Sequence, residues 1–177
     1  MLGRLDKMIP VIDLFAGPGG LNEGFSSLRT AENQPIFKTI MSVERDSIAH
    51  RTLRLRAFFR QIMQGRETAP TAYVSYMKSP TPENMAKLQQ KYSREWAAAD
   101  YEAVCAELVV NDDALILEGE KRLKEQGVFK GDDWVLIGGP PSRRILSPDD
   151  PEEHTMRHWP PMKNKRYTDA IWLLSST

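Results

Sequence analysis

Met8-Ile9-Pro10-Val11-Ile12-Asp13-Leu14 runs directly into Phe15-Ala16-Gly17-Pro18-Gly19-Gly20. A short apolar run that ends near a carboxylate and meets a glycine cluster reads as a buried strand and a tight turn. Leu21 to about Leu28 then reads as a helix. Working outward, Ile36 to Val43 reads as a second strand, ending at Glu44. Asp46 or Ser47 is placed to cap a helix running through Ile48, Leu53, Phe58 and Phe59. The first 60 residues therefore read β-α-β-α, the opening of a doubly wound α/β sheet.

Glycine accepts positive φ and leaves room where a Cβ would clash, so this turn lets backbone approach a ligand. The N-terminus of the following helix adds partial positive charge. Glu44 ends the next strand, where a carboxylate can accept both hydroxyls of a ribose. The pairing points to a cofactor containing adenosine. Gly17-Pro18-Gly19-Gly20 lacks the third glycine of the dinucleotide fingerprint, and no Gly-Lys-Ser/Thr follows. Those absences argue against NAD and against ATP.

From about Gly65 the pattern changes. Thr71 to Pro82 is mixed, with Pro80 and Pro82 as breakers, while Asn84–Ser93, Glu95–Val110 and Asp113–Gln126 each read as helical. Residues 65–127 thus form a helical insertion. Asp133-Trp134-Val135-Leu136-Ile137 gives a further buried strand that runs into Gly138-Gly139-Pro140-Pro141. Beyond it no apolar period is sustained, and six prolines fall within residues 140–161, so residues 142–177 read as an irregular tail.

The chain has 177 residues, enough for one domain or a piece of a larger one. Its 24 basic and 24 acidic residues cancel, which excludes a strongly basic nucleic-acid binder judged by bulk charge, though not a local basic face. A single cysteine, Cys105, excludes an internal disulfide framework and a cysteine-based zinc cluster. No apolar run approaches the ~20 residues of a membrane span, and Met1 to Met8 carry no secretory h-region. The expected compartment is the cytoplasm, with no membrane partner.

Three motifs, in this order and at these strand ends, resemble a known family. Asp13-Leu14-Phe15-Ala16-Gly17-Pro18-Gly19-Gly20, then Glu44 with Asp46, then Gly138-Gly139-Pro140-Pro141 look like the first, second and fourth motifs of DNA cytosine-5 methyltransferases. The resemblance covers about residues 8–141 and implies a Rossmann-like methyltransferase sheet, here incomplete, with S-adenosylmethionine as cofactor and DNA as partner. It implies cofactor contacts at Asp13, Phe15, Ala16, Gly17, Gly19, Gly20, Glu44 and Arg45. Phe15 and the backbone of Gly17 to Gly20 are expected on the methionine side, and Glu44 on the ribose. The family usually has an apolar residue at the position of Arg45, so the arginine is a departure. Asp112 and Asp113 are candidates for the third motif's carboxylate, and Pro140 with Pro141 for the loop facing an extruded cytosine.

The residue after Pro-Pro in the family is the cysteine that attacks cytosine C6. Here it is Ser142. A thiol ionises readily, whereas a serine hydroxyl needs a dedicated base. The following residues depart as well, and a frameshift is the expected cause, with a naturally divergent tail as the alternative. One base deleted from suitable codons for the family-like Cys-Gln-Ala-Tyr-Ser-Leu-Ala-Gly-Arg-Ser-Arg gives Ser-Arg-Arg-Ile-Leu-Ser-Pro-Asp-Asp-Pro-Glu, which is Ser142 to Glu152. The chain is then expected to be a truncated front half, inactive and prone to aggregate, with the strand before Gly138 beside the first strand and its outer edge unpaired. Alternatives are an S-adenosylmethionine-binding module without activity, one half of a split enzyme completed by a second polypeptide, an RNA cytosine-5 methyltransferase, and, as a poor fourth, a dinucleotide-binding oxidoreductase.

Other residues have plainer readings. Cys105 is expected inside a helix core at helical spacing from Tyr101 and Leu108. Arg51, Arg54, Arg56 and Arg60 are expected on a solvated helix face rather than on phosphate. Trp134 is expected to pack, and His154 with His158 to bind no metal.

Overall fold

A computed structural model describes residues 8–108 and 113–139. Strand β1 (Ile9–Leu14) leads through the glycine turn into α1 (Gly20–Ser27), β2 (Phe37–Glu44) and α2 (Ser47–Met63). Helices α3 (Thr71–Lys78), α4 (Pro82–Lys91) and α5 (Ser93–Glu102) follow. Strand β3 (Ala103–Cys105), helix α6 (Ala114–Glu125) and strand β4 (Val135–Gly138) come last. The four strands form one parallel sheet in the order β3-β2-β1-β4. The chain is thus α/β, with a sheet compatible with a Rossmann-like fold. No helix among the described residues is long and apolar enough to cross a membrane.

Local chemistry explains most of these boundaries. Asp46 caps α2, its Oδ1 accepting from the N–H of Ile48 at 3.0 Å and of Ala49 at 2.7 Å. Thr81 caps α4 through the N–H of Asn84, with Pro82 in the first turn, where its missing N–H costs nothing. Gly127, at φ 67°, follows the last turn of α6.

Because strand side chains alternate, β1 turns Ile12 and Asp13 to opposite faces. On one face Leu123 and Val128 pack with Ile12, Met41, Val43 and Leu136, and Trp134 is half-buried against this cluster. The other face meets α1 through Asn22, whose Nδ2 donates to Ser42 Oγ at 3.2 Å. There Ala16, Leu53 and Ala103 form a small apolar cluster. Outside it, α2 carries a second core built with α4 and α5, in which Phe58, Ile62, Leu88 and Ala99 are buried and Tyr73, Tyr92 and Trp96 pack around Phe58. Each large apolar side chain buried in these clusters stabilises the fold by about 1.5–3 kcal/mol.

Three expectations need correction. The helix read over Glu95–Val110 stops at Glu102, and Ala103–Cys105 is a strand paired with Ser42–Glu44. Residues 65–127 therefore contribute a strand to the sheet as well as helices. Cys105 consequently lies on β3, exposed, and not in a helix core. The mixed stretch after Thr71 folds into the two-turn helix α3, whose Tyr73 stacks near Phe59 with ring centroids 4.7 Å apart.

Candidate functional site

Parallel strands send all their carboxyl ends to one edge, and a crevice opens there where the strand order reverses. In this sheet the reversal lies at β1, which has β2 on one side and β4 on the other. The residues that follow β1, β2 and β4 are Phe15–Gly20, Arg45–Asp46 and Gly139. The glycine turn, Glu44 and the Gly138-Gly139 pair thus meet at one edge, although 118 positions separate Gly20 from Gly138.

The turn departs sharply from extended backbone. Phe15, Gly17 and Gly19 have φ of 56°, 55° and 90°. For Phe15 that conformation is uncommon, and the surrounding structure has to hold it there. Ala16 N–H donates to Val43 O at 3.0 Å, and Gly19 N–H closes the turn onto Ala16 O at 2.9 Å. A Cβ at Gly19 would come within 2.9 Å of Leu53 Cδ1, so this glycine lets the turn lie against α2. A Cβ at Gly17 or Gly20 would meet nothing within 4 Å, so both face open space. At Gly138 a Cβ would lie 2.6 Å from Leu14 O, which makes glycine necessary for β4 to lie this close to the end of β1.

Glu44 ties the two crossovers together. Its Oε2 accepts from Gly17 N–H at 2.8 Å and its Oε1 from Asp46 N–H at 2.7 Å. A carboxylate offers about four acceptor positions, so after these two bonds Glu44 still has capacity for a diol. Arg45 projects outward, its guanidinium 2.7 Å from Glu107 just beyond β3, with both side chains exposed. An exposed pair of this kind contributes little to stability.

Beneath the turn lies a polar layer. Asp13, Asn22 and Ser42 are fully buried and Glu102 nearly so. Neither carboxylate oxygen of Asp13 has a hydrogen-bond partner among the described residues. Burial pushes Asp13 up to about 7; Arg60 opposes this, and Glu102 and Glu44 add to it. Burial likewise pushes Glu102 up, against the bonds it accepts from Arg60. Arg60 bridges Glu23 in the first turn of α1 and Glu102 at the end of α5. Arg60 is therefore not on a solvated face as expected. Arg54 also departs from that reading, lying 4.9 Å over the Trp96 ring and 3.2 Å from Asp100.

No protein-family model, curated protein or solved structure matches this chain.

The structure brings together Asp13, Phe15, Ala16, Gly17, Gly19, Gly20, Glu44 and Arg45 at the carboxyl edge, with Asp13 buried under the turn rather than facing the opening. Asp113 precedes α6 and makes no side-chain cap. Asp112, Pro140, Pro141, Ser142, His154 and His158 lie outside the described residues. Among the described residues no group of His, Cys, Asp and Glu is placed to hold a metal ion. Sequence reasoning missed Glu107, because the three-residue strand that positions it carries no periodic signal. It also missed the Glu23–Arg60–Glu102 bridge, whose members have no recognisable spacing.

The residues present fit an adenosine-containing cofactor on two counts: the open faces of Gly17 and Gly20 and the spare acceptor capacity of Glu44.

Proposed function

We propose that residues 8–139 are the cofactor-binding part of an S-adenosylmethionine-dependent cytosine-5 methyltransferase domain, with DNA as the substrate class. One observation carries the reading. The Glu44 carboxylate is pinned by the N–H groups of Gly17 and Asp46, which orients an acceptor with spare capacity beside the glycine turn. The motif resemblance supplies the identity of the cofactor. In that reading Phe15 and the backbone of Gly17 to Gly20 hold the methionine portion, Glu44 the ribose hydroxyls, and Arg45 with Glu107 border the adenine.

Isothermal calorimetry with S-adenosylmethionine tests the assignment. Binding is expected for the wild-type chain and a loss of at least tenfold in affinity for Glu44→Ala. Absence of binding by the wild-type chain overturns the reading.

A second reading is favoured by Ser142 standing where the family has its nucleophile. The chain then binds the cofactor without transferring its methyl group, alone or with a second polypeptide that supplies further motifs. A methyl-transfer assay on DNA with labelled cofactor separates the two readings. This chain is expected to show no turnover, and a version with the family frame restored after codon 141 is expected to show it.

A further inference from the structure

We propose that Arg60 is a positioning residue for the glycine turn: its guanidinium ties the first turn of α1, into which the glycine turn leads, to the end of α5. The inference rests on the functional reading above for its ligand, but its geometry is independent of any ligand.

Three elements converge on this one side chain. Arg60 comes from the last turn of α2 and is largely buried. One arm bonds Glu23, four residues beyond Gly19, and the Glu23 N–H donates to Gly19 O at 3.1 Å. The other arm bonds Glu102, the residue before β3 and almost wholly buried. Arg60 therefore connects the helices between β2 and β3 to the turn that follows β1. A buried arginine held by two carboxylates is costly to desolvate, and removing it leaves unpaired charge behind. A merely solubilising arginine would not sit there.

The groups facing Asp13 can be named by element. Arg60 comes from α2, Glu102 from α5 and Glu44 from β2, and Glu23 of α1 pairs with the same guanidinium. Arg60 opposes the effect of burial on Asp13 more strongly than either glutamate reinforces it. Its removal is therefore expected to raise the pH at which Asp13 ionises. Removal of the Glu102 charge is expected to lower it.

Carbon-13 NMR of labelled aspartate carboxyls in the ligand-free chain tests this, with Asp13→Asn assigning the signal. The Asp13 midpoint is expected to rise by about one pH unit or more in Arg60→Met, to fall in Glu102→Gln, and to stay nearly in place in Arg60→Lys. Amide exchange at Gly17 and Glu23 is expected to quicken in Arg60→Met and to recover in Arg60→Lys. Midpoints that stay put in both Arg60→Met and Glu102→Gln, or unchanged exchange at the turn, overturn the proposal. Should Arg60→Met fail to fold, Glu102→Gln and Arg60→Lys still decide it. Calorimetry with S-adenosylmethionine adds a separate arm, in which a tenfold or greater weakening in Arg60→Met with recovery in Arg60→Lys is expected. If the wild-type chain binds no S-adenosylmethionine, the functional reading fails while the NMR and exchange arms still judge Arg60.

Discussion

The Asp13 carboxyl lies in a buried polar layer with Asn22, Ser42 and Glu102, and has no hydrogen-bond partner among the described residues. Its raised value has a direct consequence for stability. From about pH 4 to about pH 7 the folded chain holds a proton on Asp13 that the unfolded chain has released. Folding stability from this group is therefore full below the unfolded value and declines as pH rises through that window, by an amount of the order of a few kcal/mol. Denaturant melts at pH 4.5 and 7.5 are expected to show this decline, and Asp13→Asn is expected to flatten it. Gly138 offers a purely steric counterpart. The Leu14 carbonyl it would meet is backbone and cannot swing away. Gly138→Ala is expected to cost about 1–3 kcal/mol, measured by urea unfolding, with β1 and β4 forced apart.

Helix α2 concentrates the consequences of single changes. Asp46 satisfies two N–H groups of its first turn, so Asp46→Ala is expected to lower stability by about 1 kcal/mol. Phe58 is fully buried within a ring of Tyr73, Tyr92 and Trp96, and Phe58→Ala is expected to cost about 3–5 kcal/mol. The same thermal or chemical melts distinguish the two by size. This helix was legible in the sequence because its cap and its apolar positions are local. Strand β3 was not. Ala103-Val104-Cys105 continues a run that suits a helix, and it is a strand because Ser42–Glu44 offers it a parallel edge. Tertiary pairing overrides local preference in so short a segment.

For the molecule as a whole, the sheet edges matter most. Among the described residues β4 pairs with β1 alone, while its Leu136 and Ile137 are buried. An apolar strand with one open edge invites pairing with another chain. Light scattering across a concentration series is expected to show self-association of the chain. A monomer that stays soluble and melts cooperatively at high concentration would contradict it. The nucleotide sequence after codon 141 bears on the same question: the alternative frame is expected to encode a methyltransferase-like continuation, and its absence would remove the frameshift explanation of Ser142 to Glu152.

The sequence alone determined the first β-α-β-α unit, the glycine turn, Glu44 as its acidic partner and the strand that runs into Gly138, because each depends on apolar runs, caps and glycines close together in the chain. Only the tertiary structure decided that β3 joins the sheet, that Cys105 is exposed, that Glu107 faces Arg45, and that Arg60 leaves solvent to join Glu23 and Glu102. Those outcomes depend on groups 37 to 62 positions apart in the chain. Their meeting is set by how the helices stack on the sheet, for which no local pattern of residues carries a signal.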